Sequence, residues 1–305
     1  MGYACGVRWD EKKLGRMREL CLCGYRVPDI ATVLSVEFRE TITISAVNQA
    51  KYKNPLTEHS IAVETEGVKF YESDTLPDDN YMVSCDYHCP YHSEPFVNRL
   101  LGMADKFGIT KHIIVGDLFD MDFAKFWASD DKMDMEGEKK HTDPVLAALS
   151  YFDLNYLVHG NHENRINRLA DSKIQFKHLM TLYGNTKWAE SFRYTPYDKV
   201  FIGDEWMLVH PHSYSQISPQ VARRLAEKYR RHIINTHGHL VGSGTDRSGT
   251  NMAVDLGGMF ERRKISYINK KTTSHPVWGN GFGMLRDGKF WTFDQFTDWK
   301  YWGLV

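Results

Sequence analysis

Polar side chains that can bind metal ions follow five apolar, strand-like runs from residue 81 onward. The runs are YMVSC, HIIVG, LNYLVHG, EWMLV and HIINT, and helix-like segments such as EPFVNRLLGMADKFG and PQVARRLAEKYRR lie between them. Alternating strands and helices indicate an α/β sheet, and such sheets place functional sites beyond the carboxyl ends of their strands. The side chains at these ends are Asp86, His88, Asp117, Asp120, Asn161, His162, Glu163, His210, His237 and His239.

The chemistry of this set favours transition metals. Imidazole nitrogens with carboxylate and amide oxygens suit Mn, Fe or Zn, whereas the five cysteines form no paired motif for a thiolate site. The candidate ligands are too many for one ion but suit two ions that share a carboxylate. Paired ions about 3.5 to 4 Å apart commonly serve phosphate ester cleavage. An ordinary buried histidine would explain any one of these positions, but not the ordered set. Asn161 is therefore predicted to bind metal, and His162 beside it to act as an acid or base.

With these blocks in order, residues 81 to 295 resemble the calcineurin-like metallophosphoesterases, whose motifs are D-x-H, G-D-x-x-D, G-N-H-[DE], H and H-x-H. The resemblance implies an α/β (α+β) fold, a four-layer αββα sandwich of two mixed sheets. It also implies a hydrolase in which a hydroxide bridging two divalent ions attacks phosphorus in line. Mn is the expected metal, with Fe or Zn as alternatives.

The same resemblance assigns roles to the motif residues. The ligands of the first ion would be Asp86, His88 and His239. Those of the second ion would be Asn161, His210 and His237, and Asp117 would bridge the two ions.

Three further motif residues would assist without binding metal. His162 would protonate the leaving oxygen, Asp120 would orient the ring of His162, and Glu163 would be structural. Two departures from the family pattern matter. The last block is THGHL, which keeps the His-x-His spacing but changes its neighbours, and His212 in HPH competes with His210, which directly ends its strand.

The motifs say less about the substrate. GNHENR is similar to the serine/threonine phosphoprotein phosphatases, but Met121 and Cys89 stand where that group has arginine and glycine, so its phosphate-binding guanidinium is missing. Arg165 or Arg168 could replace it as a substrate-binding residue. IIVGDLFD is similar to the DNA-repair nuclease branch of the family.

Residues 1 to 55 are predicted to form three short helices. Apolar residues recur at helical spacing in the first two, and Thr43 or Ser45 could cap the third. GYRVPDIATVL resembles the second helix of a helix-turn-helix domain, although SVEFRETIT is longer than the usual connection. The resemblance implies that the third helix enters the major groove of DNA; a bundle for packing or for a protein partner is the alternative. The candidate DNA contacts are Asn48, Gln49, Lys51 and Lys53.

The rest of the chain sets the boundaries. Residues 56 to 80 mix Pro, Gly and acidic residues and are predicted to connect the helices to a domain at residues 81 to 305. The chain has no apolar run of about eighteen residues and no signal-peptide core, so we expect a cytoplasmic protein with no membrane partner. A net charge of −1 means that DNA must be recognised by a local surface.

Two segments have open roles. The acidic insert at 121–143 could be a lid or a homo-oligomer contact, and the basic, aromatic segment at 260–278 could follow a phosphate backbone or be an ordinary solvated charge run.

The sequence therefore predicts a two-metal phosphodiesterase or nuclease that acts on DNA. One alternative is a nucleotide or small-molecule phosphoesterase, or less readily a protein phosphatase, whose N-terminal helices dock a partner. Another is a DNA-binding regulator that has lost catalysis. The complete ligand set argues against the regulator, because a degenerate site would tolerate the loss of ligands.

Overall fold

The protein is described by a computed structural model over residues 7, 9–22, 27–53, 73–124, 133–169, 192–265 and 278–304. It divides into two compact units, Met1–Tyr71 and Glu72–Val305. None of the described helices is long and apolar enough to cross a membrane.

The described part of the N-terminal unit contains three helices, α1 (Glu11–Leu22), α2 (Val27–Phe38) and α3 (Ile44–Lys53). The backbone N–H of Ala46 donates to the Thr43 hydroxyl at 3.1 Å, so Thr43 caps α3. The alternating faces of α3 follow from its sequence: Val47 and Ala50 are buried, while Asn48 and Gln49 are exposed. Side chains from all three helices form the core of this unit, which contains Met17, Leu20, Ile30, Ala31, Leu34, Ile42, Val47 and Ala50.

The second unit begins inside the segment that we predicted to be a connector. Asp74–Leu76 forms strand β1, which pairs in parallel with β6 (Lys199–Ile202). The prediction that residues 56 to 80 are all connector is therefore wrong at its end. The strand is only three residues long, and its pairing with a distant strand supplies what its sequence pattern does not show.

Two six-stranded mixed sheets form the second unit. The first has the order β1-β6-β7-β8-β10-β9, and the second has the order β12-β11-β2-β3-β4-β5. The remaining strands of the first sheet are β7 (Trp206–Val209), β8 (His232–Asn235), β9 (Val241–Thr245) and β10 (Met252–Leu256). Those of the second sheet are β2 (Tyr81–Ser84), β3 (Lys111–Val115), β4 (Leu154–Val158), β5 (Phe192–Tyr194), β11 (Gly281–Arg286) and β12 (Lys289–Asp294).

Helices cover the outer face of each sheet. Among its described residues this unit has four α-helices: α4 (Glu94–Phe107), α5 (Met135–Leu149), α6 (Asn164–Leu169) and α7 (Gln220–Tyr229). Alternate residues of β7 show the layering, because Leu208 lies in the core between the sheets while Met207 packs outward with Ala222 and Ala226 of α7. On the other side, Leu100 of α4 and Leu146 of α5 share a core with the second sheet. The predicted αββα sandwich of two mixed sheets is confirmed.

Part of the acidic insert is buried. Glu138, near the start of α5, is fully buried and accepts the backbone N–H groups of Met121 and Asp122 at 2.8 and 2.9 Å. The first residues after Asp120 are thus held by α5. Residues 125–132 of the insert lie outside the described residues.

A chain of hydrogen bonds crosses three neighbouring strands beneath the strand ends. Asn155 of β4 donates to Leu149 O at 2.9 Å, so its Oδ1 accepts from His112 Nδ1 of β3 at 2.8 Å. His112 Nε2 then accepts from Ser84 Oγ of β2 at 2.7 Å, and Ser84 accepts from the Tyr87 hydroxyl at 2.8 Å. These four side chains are completely buried, and Tyr87 lies between Asp86 and His88, so the chain fixes the turn that carries both.

Candidate metal centre

The strand ends of both sheets meet at one edge, as predicted. Asp86 and His88 follow β2, Asp117 follows β3, and His239 follows β8 of the other sheet. His239 Nε2 lies 3.0 Å from Asp86 Oδ1 and 3.1 Å from His88 Nε2. Residues from two sheets therefore converge on one point.

A second group lies on the other side of Asp117. His210 Nε2 is 3.0 Å from Asn161 Oδ1 and 3.4 Å from Asp117 Oδ2. The His210 and His237 ring centroids are 5.1 Å apart. Asp117 Oδ2 is also 4.0 Å from His88 Nε2, so this carboxylate faces both groups. The structure thus brings together all the residues that the sequence proposed as ligands.

The backbone of five of these residues adopts the left-handed conformation that L-residues rarely enter. Their φ angles are +48° to +70°, in Asp86, His88, Asp117, His237 and His239. Such strain persists only where the surroundings enforce it, and it clusters at functional sites. Here the turns hold one another, since Asp86 N donates to Gly116 O and His88 N donates to Asp117 O, both at 3.0 Å.

Two glycines allow the strand ends to approach this closely. A Cβ on Gly116 would lie 2.3 Å from His210 Nδ1, and a Cβ on Gly160 would lie 2.2 Å from Asp117 Oδ1. Any residue type other than glycine would clash at either position. The glycines of the second and third motifs therefore provide space for the ligands rather than chemistry.

Glu163 anchors two ligand-bearing turns from behind. It is fully buried; its Oε2 accepts the N–H groups of Gly160 and Asp117 at 2.9 and 3.0 Å, and its Oε1 accepts that of Leu118 at 3.0 Å. Burial, followed by the charge of Asp117, raises the pKa of Glu163 to about 7. This agrees with the expected structural role, but the sequence did not reveal its partners, which are backbone groups of the neighbouring motif.

The donor set fits metal ions. Asp86 and Asp117 are buried, and no Lys or Arg among the described residues lies within ion-pair distance of either. Three overlapping groups of residues could each hold a metal ion, because the ligand atoms within each group lie within 4.8 Å of one another. The groups are Asp86, His88 and His239; His88, Asp117 and His162; and Asp117, His210 and His237.

Hydrogen bonds orient the imidazoles for this purpose. His88 Nδ1 donates to Asp120 Oδ1 at 3.1 Å and His210 Nδ1 to Val115 O at 3.0 Å, so both Nε2 atoms face the centre. Burial lowers the pKa of His88 to about 4. Burial also opposes charge on His210, but Asp117 and the other carboxylates outweigh it and raise the pKa of His210 to about 10, which shows that the centre attracts positive charge.

His162 lies beside Asp117 with its own set of partners. Its Nδ1 is 3.2 Å from Asp120 Oδ1 and 3.0 Å from Asp120 O, and its Nε2 is 3.7 Å from Asp117 Oδ2. The Arg165 guanidinium also donates to His162 Nε2, at 2.9 Å, and to Asp120 O. Asp120 therefore orients two rings, His88 and His162, where the sequence predicted only the second.

An aromatic wall closes the His88 side of the centre. Phe260 is buried, with its ring 4.9 Å from that of His239 and 6.0 Å from that of His88. The Trp278 ring is 4.1 Å from that of His239. We noted these aromatics in the sequence but did not place them here, because Phe260 lies 21 positions and Trp278 lies 39 positions after His239, the nearest proposed ligand in the sequence. Residues 266–277 lie outside the described residues.

The other sequence candidates have mixed outcomes. His210 lies in the centre, whereas His212 is exposed, which favours His210 for the fourth motif. Asn48 and Gln49 belong to the N-terminal unit. The side chains of Lys51, Lys53 and Arg168 lie outside the described residues.

No family model matches the chain, and no curated protein matches it in sequence. Similar solved structures include YfcE, a phosphoesterase from E. coli, at 16% identity and a TM-score of 0.36, covering 68% of this chain and 88% of that one. A protein serine/threonine phosphatase from Saccharomyces cerevisiae has 14% identity and a TM-score of 0.36, with coverages of 74% and 84%. Vps29 from Entamoeba histolytica, complexed with Zn²⁺, has 14% identity and a TM-score of 0.32, with coverages of 70% and 97%. Two of these similar structures are described as a phosphoesterase and a phosphatase. Likenesses this remote do not say what the chain acts on.

Proposed function

We propose that the chain is a phosphoesterase that uses two divalent transition-metal ions, Mn first, with Fe or Zn as alternatives. The observation that carries the proposal is the burial of Asp86 and Asp117 among imidazoles, without a Lys or Arg partner in the described part of the chain. Buried carboxylates are costly unless positive charge compensates them. Two divalent ions between the ligand groups would supply that charge.

The geometry favours the same division of ligands as the motifs. Asp86, His88 and His239 are grouped within reach of one ion. Asn161, His210 and His237 surround the other position, and Asp117 faces both. When bound, the two ions would lower the pKa of a water molecule and stabilise charge that develops on the phosphate.

The proton for the leaving group would come from His162. Burial lowers its pKa, but the carboxylates of Asp117 and Asp120 outweigh burial and raise the pKa above 6.5, with Arg165 opposing them more weakly. Asp120 holds Nδ1, so Nε2 would present the proton once the Arg165 guanidinium, which donates to Nε2 in the structure, turns to the substrate. Arg165, which contacts that same Nε2, would bind a phosphate oxygen of the substrate.

The substrate that we propose is DNA, cleaved as a phosphodiester. Support comes from α3, whose outward face carries Asn48 and Gln49, side chains that read base edges in a major groove. In this proposal residues 1–55 deliver the catalytic domain at 81–305 to the duplex. A small-molecule or nucleotide phosphoesterase remains the competing activity.

The test is a screen of metals against model esters. Purified protein is expected to bind two transition-metal ions per chain and to hydrolyse bis-p-nitrophenyl phosphate faster than p-nitrophenyl phosphate. Asp117→Asn should abolish hydrolysis and weaken both ions, since this carboxylate faces both groups. The exposed Asp287→Asn, in the β11–β12 turn, is the matched control. A protein that binds no Mn, Fe or Zn and is not activated by them would overturn the proposal.

A further inference from the structure

The solvent face of α7 is strongly basic. Val221, Ala222 and Ala226 are buried against the first sheet. The opposite face and the residues that follow the helix carry five cations, Arg223, Arg224, Lys228, Arg230 and Arg231, and the helix has a single acidic residue, Glu227. This concentration stands out in a chain whose net charge is −1.

The nearby acids neutralise only part of this face. Glu227 Oε1 is already 3.4 Å from Arg247 Nε, and the exposed Asp204 is 4.0 Å from Arg231 Nη2. Arg224 and Lys228 have no acidic partner among the residues that the structure describes. Arg224 and Lys228 lie one helical turn apart, so both side chains extend into solvent from the same face of α7.

The basic face continues onto strand β9. The Arg223 guanidinium lies over the backbone of Gly244, where a Cβ would come within 2.5 Å of Nη2. The sequence of β9 is VGSGT and contains no charged residue. Asp246, which follows it, accepts hydrogen bonds from Ser248 and Asn251 within its own turn. We call the exposed faces of α7 and β9 together the α7–β9 surface.

This surface begins at the edge that carries the metal centre. The segment that leads into α7 starts at His210, and β9 starts two residues after His239. Ser218, just before α7, lies against Gly242 of β9, since a Cβ there would be 2.5 Å from Ser218 Oγ. The α7–β9 surface therefore adjoins the edge of the sheet that carries the metal centre.

We propose that the α7–β9 surface binds the phosphate backbone of duplex DNA. This inference rests on the proposed function, because it assigns DNA as the substrate of that centre. Guanidinium and ammonium groups on a predominantly basic surface contact phosphates without reading sequence. Each phosphate that they neutralise releases counterions and makes binding steeply dependent on salt.

The experiment measures duplex binding by full-length protein, by fluorescence anisotropy with EDTA present, over a range of salt concentrations. Arg224→Ala with Lys228→Ala is expected to weaken binding and to make the slope of log affinity against log salt shallower by about 1 for each side chain. The control, Lys289→Ala with Lys300→Ala, removes the same charge from exposed positions elsewhere and should bind as wild type. Arg224→Lys with Lys228→Arg keeps both charges and should also bind as wild type.

Hydrolysis of bis-p-nitrophenyl phosphate separates this inference from the proposed function. All three double variants should hydrolyse it at the wild-type rate, because none changes the metal centre. An unchanged salt slope in Arg224→Ala with Lys228→Ala, an equal loss in the lysine control, or no duplex binding by wild type at low salt would overturn the inference. If hydrolysis were normal in that case, the phosphoesterase proposal would stand.

Discussion

His162 lies between two carboxylates and one guanidinium, and the balance of their charges sets its proton affinity. Asp117 and Asp120 raise the pKa of His162 above the usual histidine value despite burial. Asp120 holds Nδ1 of the ring, and Nε2 faces the centre, which is the arrangement that we propose for a general acid.

We expect His162→Asn to retain bound metal but to lose turnover on esters with poor leaving groups. General acid catalysis typically contributes about 100- to 10,000-fold, and an activated leaving group such as nitrophenolate needs much less of it. The measurement is kcat on an alkyl ester and on bis-p-nitrophenyl phosphate, with metal content as the control. Equal losses on both esters would assign His162 to metal binding or to structure.

Glu163 gives a second prediction at this scale. Glu163→Gln replaces one acceptor oxygen with an NH2 group. In place of Oε2, this group would face the backbone N–H donors of Gly160 and Asp117; in place of Oε1, it would face that of Leu118. We expect a loss of about 1–3 kcal/mol in the free energy of unfolding and weaker metal binding, because the turns before Asp117 and Asn161 lose their anchor. Denaturant unfolding and metal titration are the measurements. If both are unchanged, Glu163 does not hold the turns.

The clustering of the proposed ligands could be predicted from sequence, whereas the side chains that support them could not. Asp86, Asp117 and His210 each sit at the end of an apolar run, so the local pattern locates them. The contacts of Glu163 with Leu118 and of Asp120 with His88 join residues more than thirty positions apart. Local periodicity holds no information about such pairs.

At the scale of elements, the hydrogen-bond chain through β2, β3 and β4 makes folding sensitive to pH. Burial lowers the pKa of His112 to about 4, and its hydrogen bond to Asn155 offsets this only partly. The unfolded chain, with a histidine pKa of about 6.5, therefore binds more protons than the fold between pH 6.5 and 4. The stabilisation is complete above pH 6.5 and is lost as pH falls towards 4.

We expect this residue alone to lower the free energy of unfolding by about 3 kcal/mol between pH 7 and pH 4. His112→Phe, which keeps the ring stacked on Phe152, should flatten that part of the profile and cost about 1–3 kcal/mol at pH 7 for the unpaired Ser84 and Asn155 groups. Denaturant unfolding at several pH values measures both effects. A variant whose profile parallels that of wild type would show that His112 is not the titrating group.

The strands that the sequence predicted were those with long apolar runs. Strands β2, β3, β4, β7 and β8 are present, and each is fully or nearly fully buried, which explains why their sequences are continuous apolar runs. The hairpin of β11 and β12 was missed, although Asp287-Gly288 between them is a typical two-residue turn with positive φ at both positions. Edge strand β9, VGSGT, has no apolar pattern to find.

At the scale of the whole molecule, the two compact units allow the proposed DNA recognition and the proposed catalysis to be tested separately. Deleting residues 1–55 should leave hydrolysis of a small diester nearly unchanged, since none of the proposed ligands lies there. It should raise the DNA concentration needed for half-maximal cleavage. Kinetics with both substrates, for full-length and truncated protein, measures this.

Changing Asn48 and Gln49 to Ala in the full chain is the finer control for this prediction. These amides should affect sequence preference more than total binding, because amides read bases whereas ammonium groups mainly hold phosphates. If full-length and truncated protein bind DNA equally, the N-terminal unit has another use, such as docking a protein partner.

Selection for thermostability would act against the residues that have a left-handed backbone in the metal centre. These are Asp86, His88, Asp117, His237 and His239. An L-residue costs about 1–2 kcal/mol in this conformation, more than the extra chain entropy of about 0.5–1 kcal/mol that glycine loses on folding. A selection scheme that rewards only survival on heating would therefore favour glycine at such turns and discard the ligands with it. A search for more thermostable variants should therefore keep these five residues unchanged and vary other positions.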